Sequence, residues 1–114
     1  KCPGLKYKHY SPKAKLVVVQ GNKENIRSYI SQKITEDKNT GVLTYGKANY
    51  PDAKCVIDAG CNMNEYAHNL FSALRQFDKK GISIIYAEFQ VEAGIGVAVR
   101  NRLYKACAHN IIEV

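Results

Sequence analysis

Short apolar runs rich in β-branched residues alternate with amphipathic stretches along most of this chain, and few architectures accommodate that alternation. Leu16-Val17-Val18-Val19 is a continuous apolar run of the kind that forms a strand buried on both faces. Further strands are expected at 42–45, 55–57, 82–87 and 111–114. Between them, residues 23–38 place Ile26, Tyr29, Ile30 and Ile34 at helical spacing, with Asn22 positioned to cap and Asn39-Thr40-Gly41 to stop the helix. A second helix, running from Asn62 or Asn64 to about Lys80, carries the clearest amphipathic stripe: Tyr66, Ala67, Leu70, Phe71, Leu74 and Phe77. Gly81 closes it. A third, over 95–109, carries Val99, Leu103, Ala106 and Cys107 on one side. Strands alternating with helices imply crossover connections and a mostly parallel sheet of about five strands, covered on both faces. One link resists. Only about nine residues, including Pro51-Asp52, separate the second strand from the third, which is short for a parallel crossover. Either that link is an extended loop or one of the two strands is antiparallel.

The chain has 114 residues, the size of one domain and long enough to bury a real core. It has no run of 18 apolar residues, so no membrane span is expected, and no signal-peptide pattern. Its first residue is Lys1 rather than methionine, which points to a piece of a longer protein. Cys2, Cys55, Cys61 and Cys107 show no metal-ligand spacing. Cys55 and Cys107 sit in apolar surroundings, and a reducing cytoplasm fits this usage better than a disulfide framework.

The net charge of +7 is unevenly spread. Residues 1–15 hold Lys1, Lys6, Lys8, Lys13 and Lys15 and no acid, so they carry +5, and residues 16–114 net only +2. The body is therefore not a basic nucleic-acid platform. Lys6-Tyr7-Lys8-His9-Tyr10-Ser11-Pro12 has neither helix nor strand periodicity, and Pro3 and Pro12 favour extended backbone around it. Fifteen extended residues reach roughly 50 Å, so residues 1–15 read as an arm able to cross a neighbouring domain, with residues 16–114 as the folded body. On composition alone, a solvated tail explains the arm as well.

The body offers little chemistry. Gly94-x-Gly96 resembles a phosphate-binding turn, but Val99 replaces the third glycine of the dinucleotide fingerprint. Asp58 would lie at the carboxyl end of a strand, where open α/β sheets bind ligands. Gly94, Gly96 and Asp58 are therefore the candidate nucleotide-binding residues, against the simpler reading of a tight strand-to-helix turn. His68 and His109 read as a surface histidine and a helix-terminal one. Asp58 and Asp78 end elements and are placed to cap or pair. Arg100, Arg102 and Lys105 read as a solvated helix face. No catalytic set and no metal cluster can be assembled.

Beside this reading stands a resemblance. Pro3-Gly4-Leu5 and Lys6-Tyr7-x-His9-Tyr10-x-Pro12 resemble the linker of the long-form threonylcarbamoyl-AMP synthases. Asn69-Leu70-Phe71-Ser72-Ala73-Leu74-Arg75-Gln76-Phe77-Asp78 is similar to a helix of the same family. Gly94-Ile-Gly96-Val-Ala98-Val-Arg100-Asn101-Arg102-Leu103 is similar to its third-helix motif. The resemblance implies a Rossmann-like α/β/α C-terminal domain preceded by an interdomain linker. It also implies a parent nucleotidyltransferase in which a YrdC-like catalytic domain condenses threonine, bicarbonate and ATP, with magnesium, into threonylcarbamoyl-adenylate for tRNA modification in the cytoplasm. Lys6, Tyr7, His9, Tyr10 and Pro12 would close over that domain's cleft. The chain alone would be an inactive accessory or regulatory domain, binding no cofactor and making no direct tRNA contact. The alternatives are a standalone nucleotide-binding module using Asp58, Gly94 and Gly96, or an RNA-contact module acting through the lysine arm.

Overall fold

The computed structural model describes residues 12–90, 95–108 and 110–114. Five strands and three helices follow one another as β1 (Lys15–Gln20), α1 (Lys23–Glu36), β2 (Thr40–Thr44), β3 (Cys55–Asp58), α2 (Met63–Lys79), β4 (Ile84–Phe89), α3 (Ile95–Ala106) and β5 (Ile111–Glu113). The strands form one sheet in the order β3-β2-β4-β1-β5. Every pairing is parallel, and β1 and β4 are in register over their full length from Lys15↔Ile84 to Gln20↔Phe89. The expected Rossmann-like α/β architecture is thus the observed one.

Alternation along the strands sends side chains to two separate cores. Leu16, Val18, Leu43, Ile85, Ala87 and Phe89 face α2 and α3, where they meet Tyr66, Leu70, Leu74, Phe77, Leu103 and Cys107. Val17, Val19, Val42 and Tyr86 face α1 through Ile26, Ile30 and Ile34, spaced four residues apart on one stripe. The sheet is therefore the middle of three layers. Both early helices start where an asparagine caps them: the Asn22 side chain accepts from Asn25 N at 2.8 Å and that of Asn62 from Glu65 N at 2.9 Å. Helix α2 ends at Gly81, whose φ of +69° is the left-handed value a side chain disfavours.

Gly41 corrects the expectation that Asn39-Thr40-Gly41 stops α1. The helix already ends at Glu36, and Gly41 lies inside β2. A Cβ there would sit 2.6 Å from the Phe77 ring, so the missing side chain lets α2 approach the sheet.

The short link is also settled. β3 runs parallel to β2, and residues 45–54 make the connection without a helix. This coil substitutes for a crossover helix because its own side chains pack on the sheet. Tyr50 is buried, and Ala48 and Ala53 lie against the α1-side core. Lys54 N donates to Thr40 O at 3.0 Å, returning the chain to the amino end of β2. No helix of the described residues is long and apolar enough to cross a membrane.

Candidate functional site

The strand order fixes where an open sheet of this kind has its crevice. The chain leaves β1 for β2 on one side and leaves β4 for β5 on the other, although β1 and β4 are neighbours. The two connections pass over each other's strand on opposite faces of the sheet, and the loops beyond these carboxyl ends define the topological switch point. Lys23, Ile26, Tyr45, Glu88 and Gln90 meet at this edge.

Glu88 dominates the arrangement. It is a carboxylate on a central strand and only 4% exposed, so it needs partners. Tyr45 N donates to Oε1 at 2.9 Å, and the Tyr50 hydroxyl donates to Oε2. Arg27 Nε lies 3.9 Å from Oε2, and the same guanidinium donates from its NH2 group to Lys47 O at 3.0 Å. The backbone carbonyl of Glu88 accepts from the Tyr66 hydroxyl at 2.9 Å. Burial, followed by the adjacent Glu88 carboxylate, pushes the Tyr50 phenol well above its ordinary range, and burial does the same to Tyr66. Both tyrosines keep their protons as donors. Beside this cluster, Lys23, Ile26, Tyr45, Glu88 and Gln90 leave no water-sized space between them. Chemically this cluster is a clasp, binding residues 45–50 to α1 and β4, with no space for a substrate. Sequence reading missed it. The available signal was one acid inside the otherwise apolar run Ile84–Phe89.

At the opposite edge of the sheet the arm enters the body. Lys13 N donates to both carboxylate oxygens of Asp78, at 3.0 and 3.1 Å, and Ala14 N lies 3.4 Å from Asp78 Oδ1. Lys15 N then donates to Ser83 O at 3.0 Å, beginning the β1–β4 pairing. Pro12, immediately before these contacts, is half-buried. The other arm candidates, Lys6, Tyr7, His9 and Tyr10, lie outside the described residues, as do Gly94 and His109.

Asp58 ends β3, the edge strand, two strand spacings from β4, a distance of about 10 Å. Its Oδ1 accepts from Gly60 N at 2.9 Å and from the Thr44 hydroxyl at 3.4 Å, so the carboxylate braces its own turn. Gly96 lies in the first turn of α3. His68 is exposed. Arg100 differs from the solvated residue expected: its guanidinium lies 5.8 Å from the centre of the Tyr104 ring and is partly buried. Tyr104 in turn donates to Gln20 Oε1 at 2.7 Å. Cys55, Cys61 and Cys107 are free thiols, half-buried, exposed and buried respectively. Among the described residues no cluster of three His, Cys, Asp or Glu side chains could hold a metal ion.

Comparison with known proteins adds what the geometry lacks. Residues 1–108 match the family model described as threonylcarbamoyl-AMP synthase, C-terminal domain. The chain is 43% identical over 116 residues to the threonylcarbamoyl-AMP synthase of Pyrococcus abyssi, covering all of this chain and 34% of that protein. It is 36% identical over 114 residues to the Bacillus subtilis enzyme of the same name, covering 97% of this chain and 33% of the relative. Among solved structures, P. abyssi Sua5 complexed with L-threonine superposes with a TM-score of 0.84 at 41% identity, over 98% of this chain and 33% of that one. A variant of the same protein, with a consecutive histidine and tyrosine both changed to alanine, superposes at 0.81 and 41% identity over 90% of this chain and 30% of that one. The C-terminal Sua5 domain from Pyrococcus horikoshii superposes at 0.75 and 34% identity, over 91% of this chain and 100% of that one. The chain thus spans about a third of the length of the curated relatives it matches.

Proposed function

The chain belongs to the threonylcarbamoyl-AMP synthase C-terminal domain family, and from that premise we propose that it is the accessory domain and linker of such an enzyme, serving tRNA threonylcarbamoyladenosine modification in the cytoplasm. In the parent, a YrdC-like domain joins threonine, bicarbonate and ATP, with magnesium, into threonylcarbamoyl-AMP, releasing pyrophosphate and water. Another protein then transfers the threonylcarbamoyl group to tRNA. The work of this chain is to close the cleft. Lys6, Tyr7, His9 and Tyr10, brought over the catalytic domain, exclude water from a carbamate and a mixed anhydride that water would otherwise hydrolyse. The +5 charge of residues 1–15 suits a strap that lies over phosphate groups.

The observation that carries this reading is the continuity of the family match, which begins in the arm and runs through the body to residue 108. Two further facts agree with it. The P. abyssi relative was solved with L-threonine. A His-Tyr double variant of that relative was also solved, and the one place in this sequence where tyrosine follows histidine is His9-Tyr10. The clasp around Glu88 supports an accessory role for the body, since its titratable groups are locked into structure. The test is Tyr10→Ala in the full-length enzyme. Turnover should fall about tenfold or more, while the melting temperature of this domain stays within ~2 °C. Unchanged turnover rejects the lid.

A further inference from the structure

We infer that the groove between α1 and the β1–β5 side of the sheet binds a small amphipathic anion, a molecule with an apolar body and one carboxylate or phosphate group. The site is independent of the arm and of the lid reading above. It follows from the topology. Helices α2 and α3 cover one face of the sheet, whereas the other is covered by α1 and the coil 45–54 alone. A helix is about 10 Å across, against roughly 20 Å from β3 to β5. The coil returns on the β2–β3 side, where Lys54 N donates to Thr40 O at 3.0 Å. Beyond α1, toward β5, a groove of about 310 Å³ remains. That lies at the lower end of the volumes of small-molecule sites, roughly 300–1,000 Å³.

The floor of the groove is apolar. Val17, Ile84 and Ile112 come from three adjacent strands, and the two isoleucines are only half-buried, so the fold leaves apolar surface there in contact with water. The rim is polar. Tyr86 lines the groove, and its hydroxyl has no hydrogen-bond partner among the described residues. Burial, followed by the nearby Tyr29, Glu36 and Asp37, raises its phenol, so it keeps its proton and is a donor. Lys15, the first residue of β1, shares a face with Val17 and Val19, which puts its charge at the end of an apolar stripe. No described carboxylate pairs with it. The acids near Tyr86 are already engaged. Glu36 pairs with Lys33 at 3.4 Å, and Asp37 accepts from Asn39 N at 2.9 Å and from the Ser83 hydroxyl at 3.4 Å. The described lining holds two lysines, Lys15 and Lys33, and no acid. An unpaired ammonium and a free phenol donor beside an apolar floor are complemented by an apolar body carrying one negative group.

The test follows backbone amide NMR shifts of the whole 114-residue chain during titration. The probes are naphthyl phosphate and naphthoate, with inorganic phosphate and neutral naphthol as the separate halves. Saturable shifts should centre on the amides of Val17, Ile84, Tyr86 and Ile112, with a Kd of about 0.1–1 mM for molecules of this size. Saturation by either anionic probe supports the site, and the tighter of the two identifies the preferred anion. Lys15→Glu reverses the unpaired rim charge and should weaken binding about fivefold or more. Lys79→Glu makes the same change in net charge on α2, which packs on the opposite face, and should leave the affinity unchanged. Saturation by neither anionic probe, or shifts centred away from the groove, overturns the inference. If inorganic phosphate alone gives the same shifts at the same affinity, the groove holds an adventitious ion only and the inference fails. If naphthol binds as tightly as naphthyl phosphate, or Lys79→Glu weakens binding as much as Lys15→Glu, the lysine at the rim does not select an anion and the inference is equally overturned.

Discussion

Replacing Glu88 by alanine should loosen the carboxyl edge of the sheet more than any other single polar change. The substitution leaves the Tyr45 N and Tyr50 hydroxyl donors without their acceptor inside the sheet's buried edge. Each buried unsatisfied donor costs about 1–3 kcal/mol. The Arg27 contact adds little, because at 3.9 Å and with the arginine side chain 39% exposed it is solvent-screened. A loss of about 3 kcal/mol is therefore expected, equivalent to ~12–15 °C in melting temperature for a domain of this size. Tyr50→Phe removes one of the two donors and should cost about 1–2 kcal/mol. The two changes share a hydrogen bond, so a double-mutant cycle should return a coupling of about 1.5 kcal/mol. Thermal melts of the four variants measure it. Hydrogen exchange localises it, since Ala53 N donates to Tyr50 O and Lys54 N to Thr40 O, and both amides should exchange faster in Glu88→Ala. A coupling below about 0.5 kcal/mol, or unchanged exchange at those amides, would refute the claim that this clasp holds residues 45–54 to the sheet.

Other consequences can be checked separately. The Tyr50 and Tyr66 phenols are raised in the folded state. Above pH ~10 the unfolded chain releases protons that the folded chain keeps, so unfolding is favoured and stability falls as pH rises. Denaturation midpoints should decline from about pH 10 upward, and Tyr50→Phe should flatten that decline by close to one proton, about 1.4 kcal/mol per pH unit. An equal slope in Tyr50→Phe would contradict the protonated donor. Gly41→Ala places a Cβ 2.6 Å from the Phe77 ring and should cost about 1–3 kcal/mol. Adding Phe77→Leu should cost less in that background than in wild type, and strict additivity would show that the two positions do not crowd.

What could be seen from sequence was what is local. The α2 stripe, the caps at Asn22 and Asn62 and the stop at Gly81 follow from spacing and residue type over a few positions. Gly41 was misplaced because a glycine after a helix looks like a stop, and nothing local signals a ring 36 residues away. The parallel course of β3 was open for the same reason. It depends on Tyr50 reaching Glu88, 38 residues on. Asp78 was visible as an acid that ends an element, but its partners lie 64 and 65 residues earlier. The role proposed for the arm comes from motif resemblance and the family match, since residues 6–12 carry no periodicity from which a role could be read.

The central claim is that residues 6–10 close over a neighbouring catalytic cleft when substrates are bound. Amide hydrogen exchange in the full-length enzyme tests it directly, comparing the peptide spanning residues 5–11 in the free protein with the same peptide in the presence of threonine and a non-hydrolysable ATP analogue. A closing strap predicts exchange slowed at least about tenfold on adding ligands, the equivalent of about 1.4 kcal/mol of added protection. Identical exchange with and without ligands, while the catalytic domain itself becomes protected, would contradict it.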